Sequence, residues 1–232
     1  MSGLDSYSNS NLYMAQVGNP ASQFIGLIWE GVYTYDDFNY MDGNYVLKTD
    51  RPSNGNPRSG IKPGDIKYKD IDGDGTITNK DNVVIGRTQP IHIGGLNNNF
   101  IYDKFSLNVF LQWSYGNDIL NANKIYLEGN QVNRSGLNQF ASYANRWTPE
   151  NTDTDLFRAG GPGPVGYYST RLIEDGSYLR LKTVSLSYQF SQKINKLLGT
   201  QNTSISISAQ NLYTWTNYSG MDPEVSVRGS AL

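Results

Sequence analysis

The segment that most constrains the fold of this 232-residue chain is a hairpin at residues 91–115. In its second arm, residues 105–115, the odd positions carry Phe, Leu, Val, Leu, Trp and Tyr, whereas the even positions are mostly Ser, Asn and Gln. This period of two gives a strand one apolar face and one uncharged polar face. A water-soluble sheet shows the same alternation. Aromatic residues toward one end of the apolar face, with amides and hydroxyls opposite, are typical of a strand that crosses a membrane in a β-barrel.

Composition excludes several classes of protein. The net charge is 19 − 21 = −2, so no basic surface indicates nucleic acid as a partner. The chain has no Cys, which removes disulfides and thiolate metal sites. Its one histidine, His92, excludes a multi-His zinc site, and because it lies within a predicted strand we expect a structural rather than a catalytic role for it.

An enzyme is disfavoured for a second reason. Two carboxylate pairs, Glu174 with Asp175 and Asp153 with Asp155, have the spacing of acid–base groups. Both pairs lie in loop-like sequence with nothing to fix their geometry, so we expect solvated charges.

The chain contains no run of 18 apolar residues that would predict a membrane helix, and residues 1–15 lack the features of a signal peptide. A barrel strand in an exported protein would need such a signal. We therefore expect either that this sequence is a piece of a longer chain or that its strands do not cross a membrane.

Five segments have strand-like patterns, and each has about the ten residues that a tilted strand needs to cross a bilayer. They are residues 23–33, 91–102, 105–115, 178–190 and 203–215. In the fourth, the apolar phase slips between Leu181 and Val184, which predicts a bulge.

The connections between these segments run long, short, long, short. Residues 34–90 and 116–177 are the long ones, and residues 103–104 and 191–202 are the short ones. In outer-membrane barrels the long loops are extracellular and the short turns periplasmic. Within the long connections we expect irregular backbone at residues 50–64 and a short helix within residues 131–146. A soluble all-β domain with decorated loops stays open as the alternative, although compact domains rarely carry such long connections.

An acidic segment, DIDGDGTITNKD at residues 70–81, fits the spacing of a calcium-binding loop. Asp70, Asp72 and Asp74 take positions 1, 3 and 5, the Thr76 carbonyl takes position 7, and Asp81 takes position 12. Closely spaced carboxylates repel one another unless a cation lies between them. We therefore predict a structural Ca²⁺ that pins a long loop. An Asp/Gly turn without metal is the alternative.

Aromatic residues in the predicted loops are candidates for ligand contact. Tyr126, Trp147, Tyr167 and Tyr168 have rings that can stack on sugars or peptide groups. Packing within the loops is an equal alternative for the same rings.

Several ordered blocks of sequence resemble the SusC/RagA family of TonB-linked outer-membrane transporters. They are GNPASQFIGLIWEGVY at 18–33, PGDIKYKDIDGDGTITNKDNVVIGRTQP at 63–90, NRWTPENTDTD at 145–155, SYLRLKTVSLSYQF at 177–190 and AQNLYTWTNYSGMDPEV at 209–225. The blocks extend over roughly residues 16–225, and the acidic loop is part of the family's pattern. A metal in that loop is an inference from its chemistry alone.

The resemblance implies an all-β fold, namely an antiparallel up-and-down transmembrane barrel of 22 strands with an N-terminal plug. We expect residues 1–232 to be a C-terminal part of such a barrel, with about five strands and two long extracellular loops, lacking the plug and the final strand. The resemblance also implies a bacterial outer-membrane location, energy from the TonB complex, a SusD-like surface lipoprotein as partner, and import of oligosaccharides or peptides.

The alternative function is a soluble, calcium-stabilised β domain that binds carbohydrate. The two functions differ in the environment of Leu107, Val109 and Leu111. In a barrel wall these side chains face lipid and are exposed in the protein alone, whereas in a soluble domain they lie under a second layer.

Overall fold

A computed structural model describes residues 12–20, 22–128, 138–161, 163 and 168–224, and the backbone of residues 6–7. The chain divides into two compact units. The first unit comprises Met1–Gln89 and Asp118–Glu174, and the second comprises Pro90–Asn117 and Asp175–Leu232. No helix within the described ranges is both long and apolar enough to cross a membrane.

The strands and helices, in chain order, are β1 Ser6–Tyr7, β2 Tyr13–Gln16, β3 Gln23–Gly26, β4 Trp29–Val32, β5 Phe38–Met41, β6 Asn44–Leu47, β7 Ile66–Tyr68, β8 Val83–Arg87, β9 His92–Tyr102, β10 Phe105–Tyr115, β11 Asp118–Leu120, α1 Ala122–Leu127, β12 Ile173–Asp175, β13 Tyr178–Gln189, α2 Gln192–Leu197 and β14 Ser204–Thr216. Short 3-10 turns lie at Tyr35–Asp37, Arg58–Gly60, Asn79–Asp81, Ala141–Asn145 and Thr170–Leu172.

The second unit is built on one open sheet of four long antiparallel strands, in the order β14-β13-β10-β9. These strands are the last four of the five predicted segments, and each end lies within one residue of its predicted position. A two-residue turn at Asp103 and Lys104 joins β9 to β10, with Asp103 at a φ of 50°. Asp is among the few residue types that adopt this left-handed conformation readily.

The predicted bulge in β13 is confirmed. Thr183 pairs with Phe110 and Leu181 pairs with Leu111, so Lys182 has no partner on β10. The register toward β14 shifts at the same place. Because side chains alternate with a period of two, one extra residue returns Leu181 to the face that carries Val184.

The first predicted strand, residues 23–33, is corrected. It forms two short strands, β3 and β4, which pair with β8 and β7 and contribute nothing to the four-stranded sheet. All four residues of β3 are buried, so its apolar residues fill a core on both sides. A Cβ on Gly26 would lie 2.5 Å from the Tyr168 carbonyl oxygen, which shows how closely another backbone approaches there. A continuous apolar run is typical of such a doubly buried strand.

The long connections are also more ordered than expected. Together with residues before 34 they form the first unit, which has three hydrophobic clusters. The largest centres on Leu27, Ile66, Tyr68, Ile77 and Phe157. Residues 50–64 form no strand, as expected, and contain a 3-10 turn and one isolated bridge from Ser53 to Thr76. For the predicted helix at 131–146, residues 131–137 lie outside the described ranges, and Ala141–Asn145 is a 3-10 turn.

Candidate functional site

The register of the four-stranded sheet collects most of its apolar residues on one face, whereas Ile93, Ile101 and Phe110 lie in the other register. Leu107 pairs with Leu186, and Leu186 pairs with Ile207, so like residues form rows across the strands. Ile207 is 73 % exposed and Leu186 is 41 % exposed. Leu107, Val109 and Leu111 on the central strand are half-buried between their neighbours. None of the three belongs to a hydrophobic cluster identified among the described residues. The burial of these three side chains thus lies between the exposed state expected for a barrel wall and the buried state expected for a soluble domain, while the outer strands of the face are open.

Aromatic residues lie at both ends of this apolar face. At the turn end the rings of Phe105 and Tyr188 lie 4.8 Å apart between centroids. The opposite end carries His92, Trp113, Tyr115, Tyr213 and Trp215. The middle rows are aliphatic, with Val109, Val184 and Ala209 side by side. Two aromatic belts around an aliphatic band match the two interfaces and the core of a bilayer.

His92 has the structural role expected of it. Its Nδ1 accepts a hydrogen bond from Trp113 Nε1 at 3.2 Å, and its ring stacks on Tyr115 with centroids 5.2 Å apart. The Trp113 ring lies over Gly94, where a Cβ would come within 2.4 Å of it. A glycine is therefore required beside this ring, because any larger residue would displace it.

The other face of the sheet carries hydroxyls and amides that bind one another. Asn108 Nδ2 donates to Asn97 Oδ1 at 2.8 Å, and Ser106 Oγ donates to Asn99 Oδ1 at 3.2 Å. Some of the donors and acceptors of these side chains are thus paired across the strands, and the remaining ones are exposed and can bind water. The sheet thus has one face suited to lipid and one suited to an aqueous lumen.

The acidic loop brings three of its predicted ligands together. Carboxylate oxygens of Asp70, Asp72 and Asp74 lie within 4.8 Å of one another. Asp70 also accepts hydrogen bonds from the Gly73 and Gly75 amides, each at 2.8 Å. Three carboxylates so close suit a hard cation such as Ca²⁺, which prefers oxygen ligands.

The other two predicted ligands, Asp81 and Thr76, are not in this group of three carboxylates. Asp81 is fully buried, and its two oxygens accept from the Ile71 amide at 2.8 Å and the Thr78 amide at 2.7 Å. It thereby closes the loop and caps the turn Asn79–Asp81, and it is not in the group of three. The Thr76 amide donates to Asp74 Oδ1 at 2.9 Å. The metal prediction thus rests on Asp70, Asp72 and Asp74, and it stays a prediction.

The predicted ligand-contact aromatics occupy different environments. Trp147 is buried, and its ring covers Gly64, where a Cβ would lie 2.4 Å away. Tyr126 in α1 is half-buried. Tyr168, also half-buried, packs against the cluster of Leu12, Phe24, Leu120 and Leu172. Tyr167 lies outside the described residues. Packing inside the first unit accounts for Trp147 and Tyr168.

Trp147 is nevertheless the buried end of a row of neighbouring rings that reaches the surface, the aromatic stack Trp147, Tyr35, Tyr45 and Tyr40. Ring centroids are 5.6 Å apart for Trp147 and Tyr35, 5.1 Å for Tyr35 and Tyr45, and 4.9 Å for Tyr45 and Tyr40. Tyr40 is 66 % exposed at the end of the stack. It lies on the hairpin β5–β6, whose turn places Asp42 and Gly43 at positive φ. The Asp-Gly pair signals this hairpin in the sequence, where we expected a loop.

Sequence reasoning also missed a charged cluster on the polar face. Arg180 of β13 is 3 % exposed and contacts Asp222 and Glu224, which follow β14. Burial by itself would raise the pKa of Asp222, but hydrogen bonds from the Glu224 amide and the Arg180 guanidinium lower that pKa overall. The sequence signal is a lone Arg in the polar register of a strand.

Comparison with curated proteins finds relatives of one kind. TonB-dependent receptor P3 of Formosa agariphila is 33 % identical over 91 % of this chain and 19 % of its own length. TonB-dependent receptor P26 of the same organism is 35 % identical over 69 % of the chain. TonB-dependent receptor SusC of Bacteroides thetaiotaomicron is 28 % identical over 71 % of the chain. The chain thus spans less than a quarter of the length of these relatives. No model of a known protein family matches it.

Solved structures agree with these relatives in fold. The RagAB peptide transporter superposes with a TM-score of 0.65 at 23 % identity, covering 96 % of this chain and 22 % of that one. The closed-closed state of the RagAB peptide importer gives a TM-score of 0.66 at 22 % identity. The fold therefore matches a segment of the protein in those structures. Over the segment that it shares with its relatives, the chain belongs to the SusC/RagA family of TonB-dependent receptors.

Proposed function

We propose that this chain forms part of the wall and of the extracellular portion of a TonB-dependent transporter in a bacterial outer membrane. The observation that carries the proposal is the two-faced sheet, whose apolar face is open, aliphatic at its centre and aromatic at both ends. Leaving such a face in water is unfavourable by about 1.5–3 kcal/mol for each large side chain that could be buried instead. Lipid removes that cost, and the polar face then lines an aqueous passage.

The transported material is proposed to be oligosaccharides or peptides. Support comes from the relative named SusC and from the structural neighbour described as a peptide transporter. A SusD-like lipoprotein as surface partner and energy from the TonB complex follow from the same family membership. The relatives cited are named as receptors and none as an enzyme, so we assign the chain no catalytic step.

Uptake by cells tests this function. The strain that carries the intact receptor is compared with a deletion strain and with a strain whose TonB is inactivated, using labelled oligosaccharides and labelled peptides in separate assays. The proposal predicts that one of the two classes accumulates only when both receptor and TonB are present. Equal accumulation of both classes in all three strains would contradict it. Co-purification of a SusD-like lipoprotein with the intact receptor tests the partner separately.

Ligand contact is proposed for the aromatic residues of the first unit. Trp147 is buried and Tyr168 is half-buried against a hydrophobic cluster, so we assign the direct contact to the exposed end of the stack, at Tyr40 and Tyr45. Tyr126 stays a candidate from its sequence. Tyr40→Ala should weaken uptake by about tenfold, because one aromatic contact contributes on the order of 1 kcal/mol. Tyr102→Ala, which removes an exposed ring at the turn end of the sheet, is the matched control.

A structural Ca²⁺ in the acidic loop is proposed on the convergence of Asp70, Asp72 and Asp74. Calorimetric titration of the intact receptor with Ca²⁺ should show a binding heat that the double variant Asp72→Asn/Asp74→Asn lacks. At a calcium concentration of about 100 times Kd, the wild-type protein should also gain about 2.7 kcal/mol against unfolding. Asp42→Asn, at an exposed turn, controls for the loss of a surface charge. Identical heats in wild type and double variant would reject the site.

A further inference from the structure

The polar face of the sheet holds one buried cation. Arg180 lies between Gln112 of β10 and Thr214 of β14, and its Nε donates to Thr214 Oγ1 at 2.9 Å. Its Nη2 donates to Asp222 Oδ1 at 2.7 Å, and its Nη1 donates to Glu224 Oε2. A buried guanidinium requires such partners, because an unpaired charge out of water is strongly destabilising.

The Glu224 carboxylate has several donors from the sheet. Its Oε1 accepts from Tyr178 Oη at 2.6 Å and from Gln112 Nε2 at 3.2 Å, while its Oε2 accepts from Arg180. Lys182 Nζ, on the bulge residue, lies 3.7 Å from Oε2. The donors come from two adjacent strands and converge on both oxygens. Hydrogen bonds to a charged group are about twice as strong as neutral ones.

The segment that carries this carboxylate is itself compact. The Tyr218 amide donates to Thr216 Oγ1 at 3.1 Å, and the Glu224 amide donates to Asp222 Oδ1 at 2.8 Å. Tyr218 is buried, and a Cβ on Gly220 would lie 2.3 Å from its ring. The chain therefore leaves β14, turns, and comes back over the polar face to Arg180.

We propose that Gln112, Tyr178 and Arg180 form a carboxylate-binding site whose occupant is the chain's own Glu224, and that the site fastens residues 217–224 as a strap across the polar face. Asp222 supplies the second anchor. The strap crosses the sheet at the end opposite the Asp103–Lys104 turn. In the barrel proposed above, on which this last point rests, the strap covers the lumen wall near the extracellular side.

Hydrogen exchange measured by mass spectrometry on the intact receptor tests the strap. The reporters are the amides of the peptide that covers residues 217–224. Glu224→Gln keeps the size of the side chain and removes its charge, and it should raise the exchange rate of these amides by about tenfold, because charge-assisted hydrogen bonds to the carboxylate become weaker neutral ones. Glu150→Gln, at an exposed turn of the first unit, should leave the rate unchanged.

The double variant Arg180→Gln/Glu224→Gln tests whether the two groups act as one latch. The proposal predicts that it exchanges no faster than the faster of the two single variants. Effects that multiply, or an unchanged rate in Glu224→Gln, would overturn the strap. If Arg180→Gln fails to fold, Asp222→Asn/Glu224→Gln takes its place, because both residues lie outside the strands, and again an unchanged rate overturns the proposal. No transported ligand enters the measurement, so its failure and the failure of the transport function are distinguishable.

Discussion

The two units of this chain use their apolar residues in opposite ways. In the first unit they turn inward, and every buried hydrophobic residue of the described chain except Tyr218 belongs to it. In the second unit they line an open face, where residues such as Leu96, Phe100, Ile205 and Ile207 are at least half exposed. The same residue types thus serve a core in one region and a solvent-facing surface in the other. This contrast is what we expect if the open face of the second unit meets lipid, as proposed, while the first unit is held together by its own hydrophobic clusters.

The two units should differ most in how they respond when a large apolar side chain is truncated. Leu27→Ala in the first unit should destabilise the intact receptor by about 2–5 kcal/mol, because it leaves a cavity where Leu27 is 1 % exposed. Leu96→Ala on the open face loses the transfer free energy of the removed carbons but leaves no cavity, because lipid chains fill the space, so it should cost about 1–2 kcal/mol. Denaturant unfolding in lipid vesicles measures both. Equal losses would mean that the two regions do not differ.

A charge on each face of the same strand sharpens the contrast within the second unit. Val184→Arg places a cation on the apolar face near the middle of β13, and it should destabilise the receptor in lipid by about 2–4 kcal/mol. Ser185→Arg, one residue along, points to the polar face and should cost little. Urea titration of the two variants in the same vesicles compares them, and the reverse order would contradict the assignment of faces.

The smallest expected effect is a pH dependence of the strap. Because the pKa of Asp222 is lower in the folded protein than in the unfolded chain, its contribution to stability is present above the unfolded pKa and is lost as pH falls through the folded pKa. Arg180, Lys182, Tyr178 and Glu224 are the ionisable groups around it. The hydrogen-exchange rate of the amides of residues 217–224, corrected for the intrinsic pH dependence of exchange, should therefore rise only at a pH below the usual pKa of an Asp carboxyl. An increase already near neutral pH would count against the pairing.

Local periodicity predicts the long strands of this fold, because each pattern is complete within its own residues. Residues 105–115 alternate with Phe110 as the one apolar residue in the polar register, and the slip between Leu181 and Val184 locates the bulge at Lys182. The same reasoning fails at residues 23–33, where apolar residues occupy both registers of one run and fill a core on both sides. Such a run gives no period from which to distinguish a core strand from a membrane strand.

Sites that depend on distant partners were harder to predict. Asp70, Asp72 and Asp74 converge because their spacing is local. Arg180 could not be assigned from sequence, since its carboxylate partners lie 42 and 44 residues further along the chain. Asp81 was predicted from a motif, yet its oxygens are taken by backbone amides, which a motif cannot specify. Trp147 packs against Gly64 and Tyr35, which are distant in sequence, so its burial could not be read from its own segment.

Single-cysteine labelling in membranes tests most directly whether the open face of the sheet meets lipid. This chain has no cysteine, and in an intact receptor freed of any cysteine elsewhere, Ile207→Cys and Ser206→Cys are neighbours on opposite faces of β14. A fluorescent probe at position 207 should be quenched by brominated lipid chains and protected from a water-soluble quencher. A probe at position 206 should show the reverse. Water-soluble quenching at both positions, with no effect of brominated lipid, would contradict a membrane-facing wall.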